Sequence, residues 1–189
     1  MRYRIKPFGT LLLVLMCFCL LGSVAFAQSF SADVLWISDK QTMQGKIYVS
    51  AEKIRSETAG TVSIIRLDKK VVWLLMPTEK MYMEQAFRPQ NSVPSSEPIP
   101  GEIERTFLGT ESVNGVMSNK YRVSIKAENR VQAMFMWLMV DKDLPVKMSS
   151  DDGKWSVEYR NIQLGDPDPG LFEIPVGYKK FSMNMNFGQ

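Results

Sequence analysis

The sequence predicts an all-β-dominated domain, an antiparallel meander, sandwich or barrel of about ten or eleven strands with few or no long helices. Three observations carry this expectation. Apolar residues recur with period two, as in Tyr121, Val123 and Ile125 or Trp155, Val157 and Tyr159, each alternating with polar neighbours, the pattern of strands with one face on a core and one in water. Turn residues punctuate the chain at short intervals, notably Asn114-Gly115 and Asp151-Asp152-Gly153, which favour tight hairpins. Finally, no stretch of the chain after residue 27 carries a long apolar stripe at helical spacing.

Residues 1–27 stand apart. Arg2, Arg4 and Lys6 precede an apolar run from Leu11 to Leu21, and Ala25-Phe26-Ala27 supplies small residues around a cleavage position. These are the three parts of a secretory signal peptide, and the apolar run is short of the about 20 residues that a membrane-spanning helix needs. Cys17 and Cys19 follow Met16 and Phe18, where lipoprotein processing requires a small residue. The expectation is a cleaved, soluble periplasmic product that starts at Gln28.

Residues 28–189 are expected to form one domain. Removing 27 of the 189 residues leaves 162, ample for a core. Lys plus Arg falls from 23 to 20, equal to the 20 Asp plus Glu, so the formal charge drops from +3 to zero. No basic surplus remains to favour nucleic acid. Both cysteines leave with the leader and the chain has no histidine. A disulfide framework, a Ser-His or Cys-His nucleophile system and a histidine-ligated zinc are thereby excluded.

Along the domain, Gly45–Val49, Lys53–Glu57 and Ile64–Trp73 open a series of strands, with Asp68-Lys69-Lys70 marking a turn. Val71–Met76 and Ala133–Val140 are apolar at every position. A strand apolar on both faces must be covered twice or line a dry cavity. Between them, residues 88–101 hold Pro89, Pro94, Pro98 and Pro100 among serines and charges, a loop inside the domain rather than a linker. Asp141-Lys142-Asp143 is a further turn, and Phe181, Met183, Met185 and Phe187 alternate with polar residues like a last strand.

Three phrases in order resemble the periplasmic lipoprotein-carrier superfamily (LolA- and LolB-like). The first runs from Gly45-Lys46-Ile47-Tyr48-Val49 through Lys53-Ile54-Arg55-Ser56-Glu57 to Ile64–Trp73. The second is Trp137–Lys147 with Leu144-Pro145 after the turn, and the third is Asn161-Ile162 through Phe172-Glu173-Ile174-Pro175-Val176-Gly177-Tyr178. The resemblance implies an antiparallel sheet curled into an incomplete, unclosed barrel whose apolar face receives acyl chains. It implies for Arg55 a lid-holding or gating role. Ser56 stands where the carriers commonly have an aromatic, and the lid helices have no counterpart, so the likeness is closest to the helix-poor relatives, the outer-membrane lipoprotein-sorting-like and DUF4412-type domains.

The remaining candidates divide simply. Asp151, Asp152, Asp166 and Asp168 read as turn residues, and Glu102 and Glu104 share a strand face by alternation. The tryptophans Trp36, Trp73, Trp137 and Trp155 are core residues by default. Met81 and Met83, Met134 and Met136, and Met183 and Met185 each place two thioethers on one strand face, suited to Cu(I) or, as flexible apolar side chains, to an adaptable groove. The expected function is therefore non-catalytic: a binding protein that holds a lipid or the acyl chain of a lipoprotein, lined by Trp73, Leu75, Met134, Met136, Leu138 and Val140. No cofactor and no resident metal are expected; peripheral membrane contact and other envelope proteins are compatible partners. An envelope protein-interaction or stress-sensing module is the second reading, and copper binding through the Met-x-Met pairs the third.

Overall fold

The computed structural model describes residues 28–38, 41–87, 101–127, 130–142 and 144–181. The leader, most of the proline-rich loop and the alternating residues beyond Phe181 lie outside the described residues.

Six strands follow one another as hairpins in the first half: β1 Phe30–Ser38, β2 Gln41–Ser50, β3 Lys53–Thr58, β4 Thr61–Arg66, β5 Val71–Met76 and β6 Met81–Ala86. Five more form a second meander: β7 Glu102–Val113, β8 Val116–Ala127, β9 Arg130–Met139, β10 Pro145–Ser150 and β11 Trp155–Leu164. β1 pairs antiparallel with β11, which joins the two meanders into one sheet. A single 3-10 turn at Pro169–Phe172 leads to the two-residue β12, Lys179–Lys180, which pairs parallel with β6. Among the described residues the order across the sheet is β12-β6-β5-β4-β3-β2-β1-β11-β10-β9-β8-β7, twelve strands with β12 and β7 at the two edges. The sheet is an unclosed barrel, and among the described residues it carries no α-helix.

The turns follow from their residues. Asn114 and Gly115 both take positive φ, 50° and 81°, as a two-residue hairpin with the strands' own twist requires. Ala59 and Gly60 do the same at 46° and 82°, with alanine at a position that glycine or asparagine usually fills. Gly45 has a different reason. A Cβ there would stand 2.0 Å from the Glu57 carbonyl oxygen and 2.8 Å from Cζ3 of Trp36, so only glycine lets β3 and the indole ring approach together.

Directly opposed residues share a face, so the register assigns two faces. Phe30, Val34, Ile47 and Val49 in the first meander and Val123, Met134, Met136, Met148, Val157 and Tyr159 in the second form one buried cluster on the inner face. Val49 and Val123 are fully shielded. With no α-helix laid over this face among the described residues, curling of the sheet brings its own halves into contact.

The outer face answers why β5 and β9 are apolar twice. On β5, Val71, Trp73 and Leu75 face outward into a second cluster with Val62, Ile64 and Phe172, beneath the chain that follows β11. On β9, Phe135 and Trp137 face outward under lysine side chains. Lys120 Nζ lies 4.8 Å from the Trp137 ring centroid and Lys147 Nζ 5.5 Å. The aliphatic stems cover the ring while the ammonium groups reach water, with a cation–π contribution. Trp137 Nε1 donates to Glu111.

Candidate functional site: the apolar strip and its clamped backing

The segment after β11 is built to stay on β3, β4 and β5. Asp168 accepts a hydrogen bond from the Gly170 amide at 2.9 Å and starts the 3-10 turn. The turn drops Phe172 into the outer cluster, with Leu171, Ile174 and Tyr178 around it. Two arginines then hold its backbone. Arg55 Nη1 donates to the Leu171 carbonyl at 2.9 Å while Nε donates to Glu57 at 2.7 Å. Arg66, 3% exposed, donates to the Phe172 carbonyl at 3.1 Å, to Glu173, and through Nε and Nη2 to both oxygens of Asp68.

The electrostatics match. Asp68, held by the fork of Arg66, has its pKa lowered to about 2. Burial pushes the Glu173 carboxyl up, but hydrogen bonds from Arg66 and Lys69 outweigh it and the net shift is downward. The Arg66 guanidinium is raised above its ordinary value, chiefly by Asp68. Glu84 joins the far edge, accepting from Trp73 Nε1 at 2.9 Å and pairing with Lys180 at 2.7 Å. Each of these charges has an opposite partner, and together they clamp the segment to the sheet.

Behind this clamped layer, on the inner face, lies the other side of the same strands. The register carries the face from Val49 to Ile54, from Ile54 to Ile65, from Ile65 to Val72, and from Leu74 and Met76 to Met83 and Met81. Ile65, Val72, Leu74, Met76, Met81 and Met83 are half-buried and belong to neither core cluster. They make an apolar strip continuous with the inner core and open to solvent along the β6 side.

The residues expected to line a groove are divided between the faces. Met134 and Met136 are buried in the inner core and Leu138 packs half-buried against it. Val140 follows β9, its amide bonded to the Met117 carbonyl at 3.0 Å. Trp73 and Leu75 lie on the outer face beneath Phe172. Within the methionine pairs, Met134 and Met136 are core, Met81 and Met83 lie on the strip, and Met183 and Met185 are outside the described residues. The strip's Val72, Leu74 and Met76 were concealed in the all-apolar run, where composition does not tell one face from the other. Arg66 carried a usable signal, for Asp68 two residues on is its partner.

The carboxylates serve the framework. Asp151 pairs with Arg122 at 3.1 Å and Asp152 with Lys154 at 2.7 Å. Glu102 binds Arg105 in a two-bond fork. The expectation that Glu102 and Glu104 share a face is corrected. A register shift between them sets Glu102 opposite Ile125 and Glu104 opposite Ser124, consecutive partners that point to opposite faces. A shallow, open depression is bordered by Gly45, Glu57, Thr61 and Pro77 and includes none of the strip residues.

A domain of unknown function, DUF4412, matches residues 26–144. The chain belongs to the DUF4412 family. No curated protein matches it by sequence. Among solved structures it is similar to MucB of Pseudomonas aeruginosa in complex with MucA, at TM-score 0.53 and 13% identity over 82% of this chain and 59% of that one. It is also similar to the Mycobacterium tuberculosis lipoprotein LppX, at TM-score 0.50 and 12% identity over 86% of this chain and 98% of that one. This DUF4412 chain thus spans about three-fifths of the MucB chain. At such identities the likeness shows a shared fold, the unclosed barrel expected from the carrier-like phrases. Among the described residues, no helix is long and apolar enough to cross a membrane.

Proposed function

We propose that this DUF4412 protein is exported to the periplasm and binds the acyl chain of a lipid or lipoprotein, making and breaking no bond. The observation that carries the reading is the half-buried strip of Ile65, Val72, Leu74, Met76, Met81 and Met83, which neither core cluster absorbs. Trp73 and Leu75 back it from the outer face, and Arg55 holds the layer behind them. Methionine-rich surfaces repack around chains of different length, which suits a ligand of variable tail.

Magnitudes favour reversible holding. Each methylene moved into an apolar site contributes about 0.8 kcal/mol, so ten would give roughly 8 kcal/mol before the several kcal/mol cost of association. The remainder, roughly 4 kcal/mol, corresponds to an affinity on the order of millimolar for ten methylenes, tightening about fourfold with each further methylene. Delipidated, folded protein titrated with a dansyl-labelled long-chain fatty acid tests this. Saturable uptake, and lipid found by mass spectrometry after gentle purification, are the expected results; no uptake of any long-chain amphiphile overturns the reading.

A second reading, an envelope protein-interaction module, is favoured by one feature. Ile103, Phe107 and Leu108 on the edge strand β7 are each about half exposed, and exposed apolar patches mark interaction sites. Co-purifying envelope protein without lipid would support it.

A further inference from the structure

The inner face of the β3–β4 hairpin divides into an apolar end and a hydroxyl end. The register pairs Ile54 with Ile65, Ser56 with Ser63 and Thr58 with Thr61. Ile54 packs against the inner core, and side chains two apart share a face, so all six face inward. Four hydroxyls stand there two by two. Toward the strip, Ser63 is opposite Leu74 and Leu74 is opposite Met83. On the other side Ser56 is opposite Ile47 and Thr58 is opposite Gly45. A Cβ at Gly45 would lie 3.0 Å from Thr58 Oγ1 and 2.8 Å from Cζ3 of Trp36, so the indole edge borders the Thr58 hydroxyl. Thr58 and Thr61 also border the shallow depression beside Pro77, which leaves this end of the hairpin open.

The fold does not use these hydroxyls. Ser56 is 8% exposed, yet among the described residues neither its side chain nor those of Thr58, Thr61 and Ser63 has a hydrogen-bond partner. A buried hydroxyl without a partner is a standing cost to the folded state, and an acceptor on a ligand removes it. The surroundings carry no charge. Lys46, Lys53, Arg55, Glu57 and Arg66 all alternate to the outer face, which leaves the inner positions of β2 to β5 uncharged.

We infer that Ser56, Thr58, Thr61 and Ser63 form a head subsite at the inner end of the strip, and that the chain held there is ester-linked, its carbonyl oxygen accepting hydrogen bonds from these hydroxyls. This rests on the proposed function and names the ligand class. A hydroxyl donates and an ester carbonyl is an uncharged acceptor, whereas a free carboxylate would bring a charge to strands with no inward cation to meet it. Adjacent strands lie about 4.8 Å apart. A carbonyl bonded to Ser63 therefore lays its chain over Leu74 one strand away and Met83 two strands away. A glyceride and the diacylglyceryl group of a lipoprotein both supply such an ester.

Displacement of the dansyl-labelled fatty acid from delipidated, folded protein tests this with two ligands that differ in one carbonyl, monoolein and its oleyl glyceryl ether. The ester should compete about tenfold more tightly than the ether, the worth of one hydrogen bond. Ser56→Ala combined with Ser63→Ala should bring the ester down to the ether and leave the ether unchanged. The ligand-free melting temperature of Ser56→Ala alone should hold or rise, because the hydroxyl removed has no partner in the fold. A diacylated lipopeptide that competes better than a diacylglycerol of the same chains assigns the ester to a lipoprotein; the reverse order assigns it to a free lipid. Equal competition by ester and ether, or a lower melting temperature for Ser56→Ala, overturns the subsite and leaves uptake by the strip standing. If neither the probe nor either glycerol lipid binds, the proposed function falls and the subsite with it.

Discussion

Arg66 on β4 reaches across the sheet's outer face to the carbonyl of Phe172, 106 residues later in sequence, while its other contacts close on Asp68 and Glu173. Almost no part of the guanidinium meets solvent. Removing it leaves a buried carbonyl and a carboxylate without their donors, so Arg66→Ala should cost about 3 kcal/mol. Urea unfolding measures this cost. Because the segment it holds covers Trp73, the variant's tryptophan emission should also shift to the red before global unfolding.

Acid should weaken this clamp and the ion pairs of Glu158 on β11 over the same pH range. Asp68 falls from its ordinary 3.8 to about 2, and Glu158, whose burial is outweighed by Arg160, Lys147 and Asn114, falls from 4.5 to about 2. A carboxyl with a depressed folded pKa binds protons more readily when unfolded. Its stabilisation is complete above the unfolded pKa, near 4, and is lost as pH drops toward 2. The urea midpoint should hold steady from pH 7 to 5 and decline below. Asp68→Asn should start less stable and decline less steeply; a parallel decline would refute the assignment.

Gly45→Ala should be among the most damaging small substitutions. Its methyl group would overlap the Glu57 carbonyl and crowd the Trp36 ring, forcing β2 and β3 apart. A loss of about 2 kcal/mol or more is expected, read as a lower melting temperature. Gly60, whose added Cβ would meet nothing within 4 Å but whose φ is +82°, should cost only about 1 kcal/mol as alanine.

Binding and stability should separate on the inner face. Leu74→Gln alters a half-buried strip residue and should move stability by about 1 kcal/mol or less while reducing fatty-acid affinity severalfold. Met136→Gln places an amide in the closed core and should cost about 2 kcal/mol or more. If both variants lose stability alike and neither alters affinity, the strip is ordinary core.

The strands were legible because half-burial writes period two into sequence, as in Lys120–Lys126 and Lys154–Arg160. The hairpin at Asn114-Gly115 was legible for its demand on φ, whereas Ala59-Gly60 meets the same demand with a residue that does not announce it. The two all-apolar runs correctly signalled double coverage but not its source. β5 is covered by a segment nearly a hundred residues later, and β9 by lysines from neighbouring strands, and neither relation is local. Trp73 and Leu75 therefore could not be told from Val72 and Leu74 without the register.

Strand pairing joins the two meanders through β1 and β11. Every other antiparallel pairing zips between sequence neighbours, cheaply and early, but this seam joins the first strand to the last long one and must wait for loop closure across almost the whole domain. Until it forms, Phe30 and Val34 have β2 on one side and nothing on the other. The amino-terminal half cannot complete its core by itself, and the final commitment to the native state waits for β11.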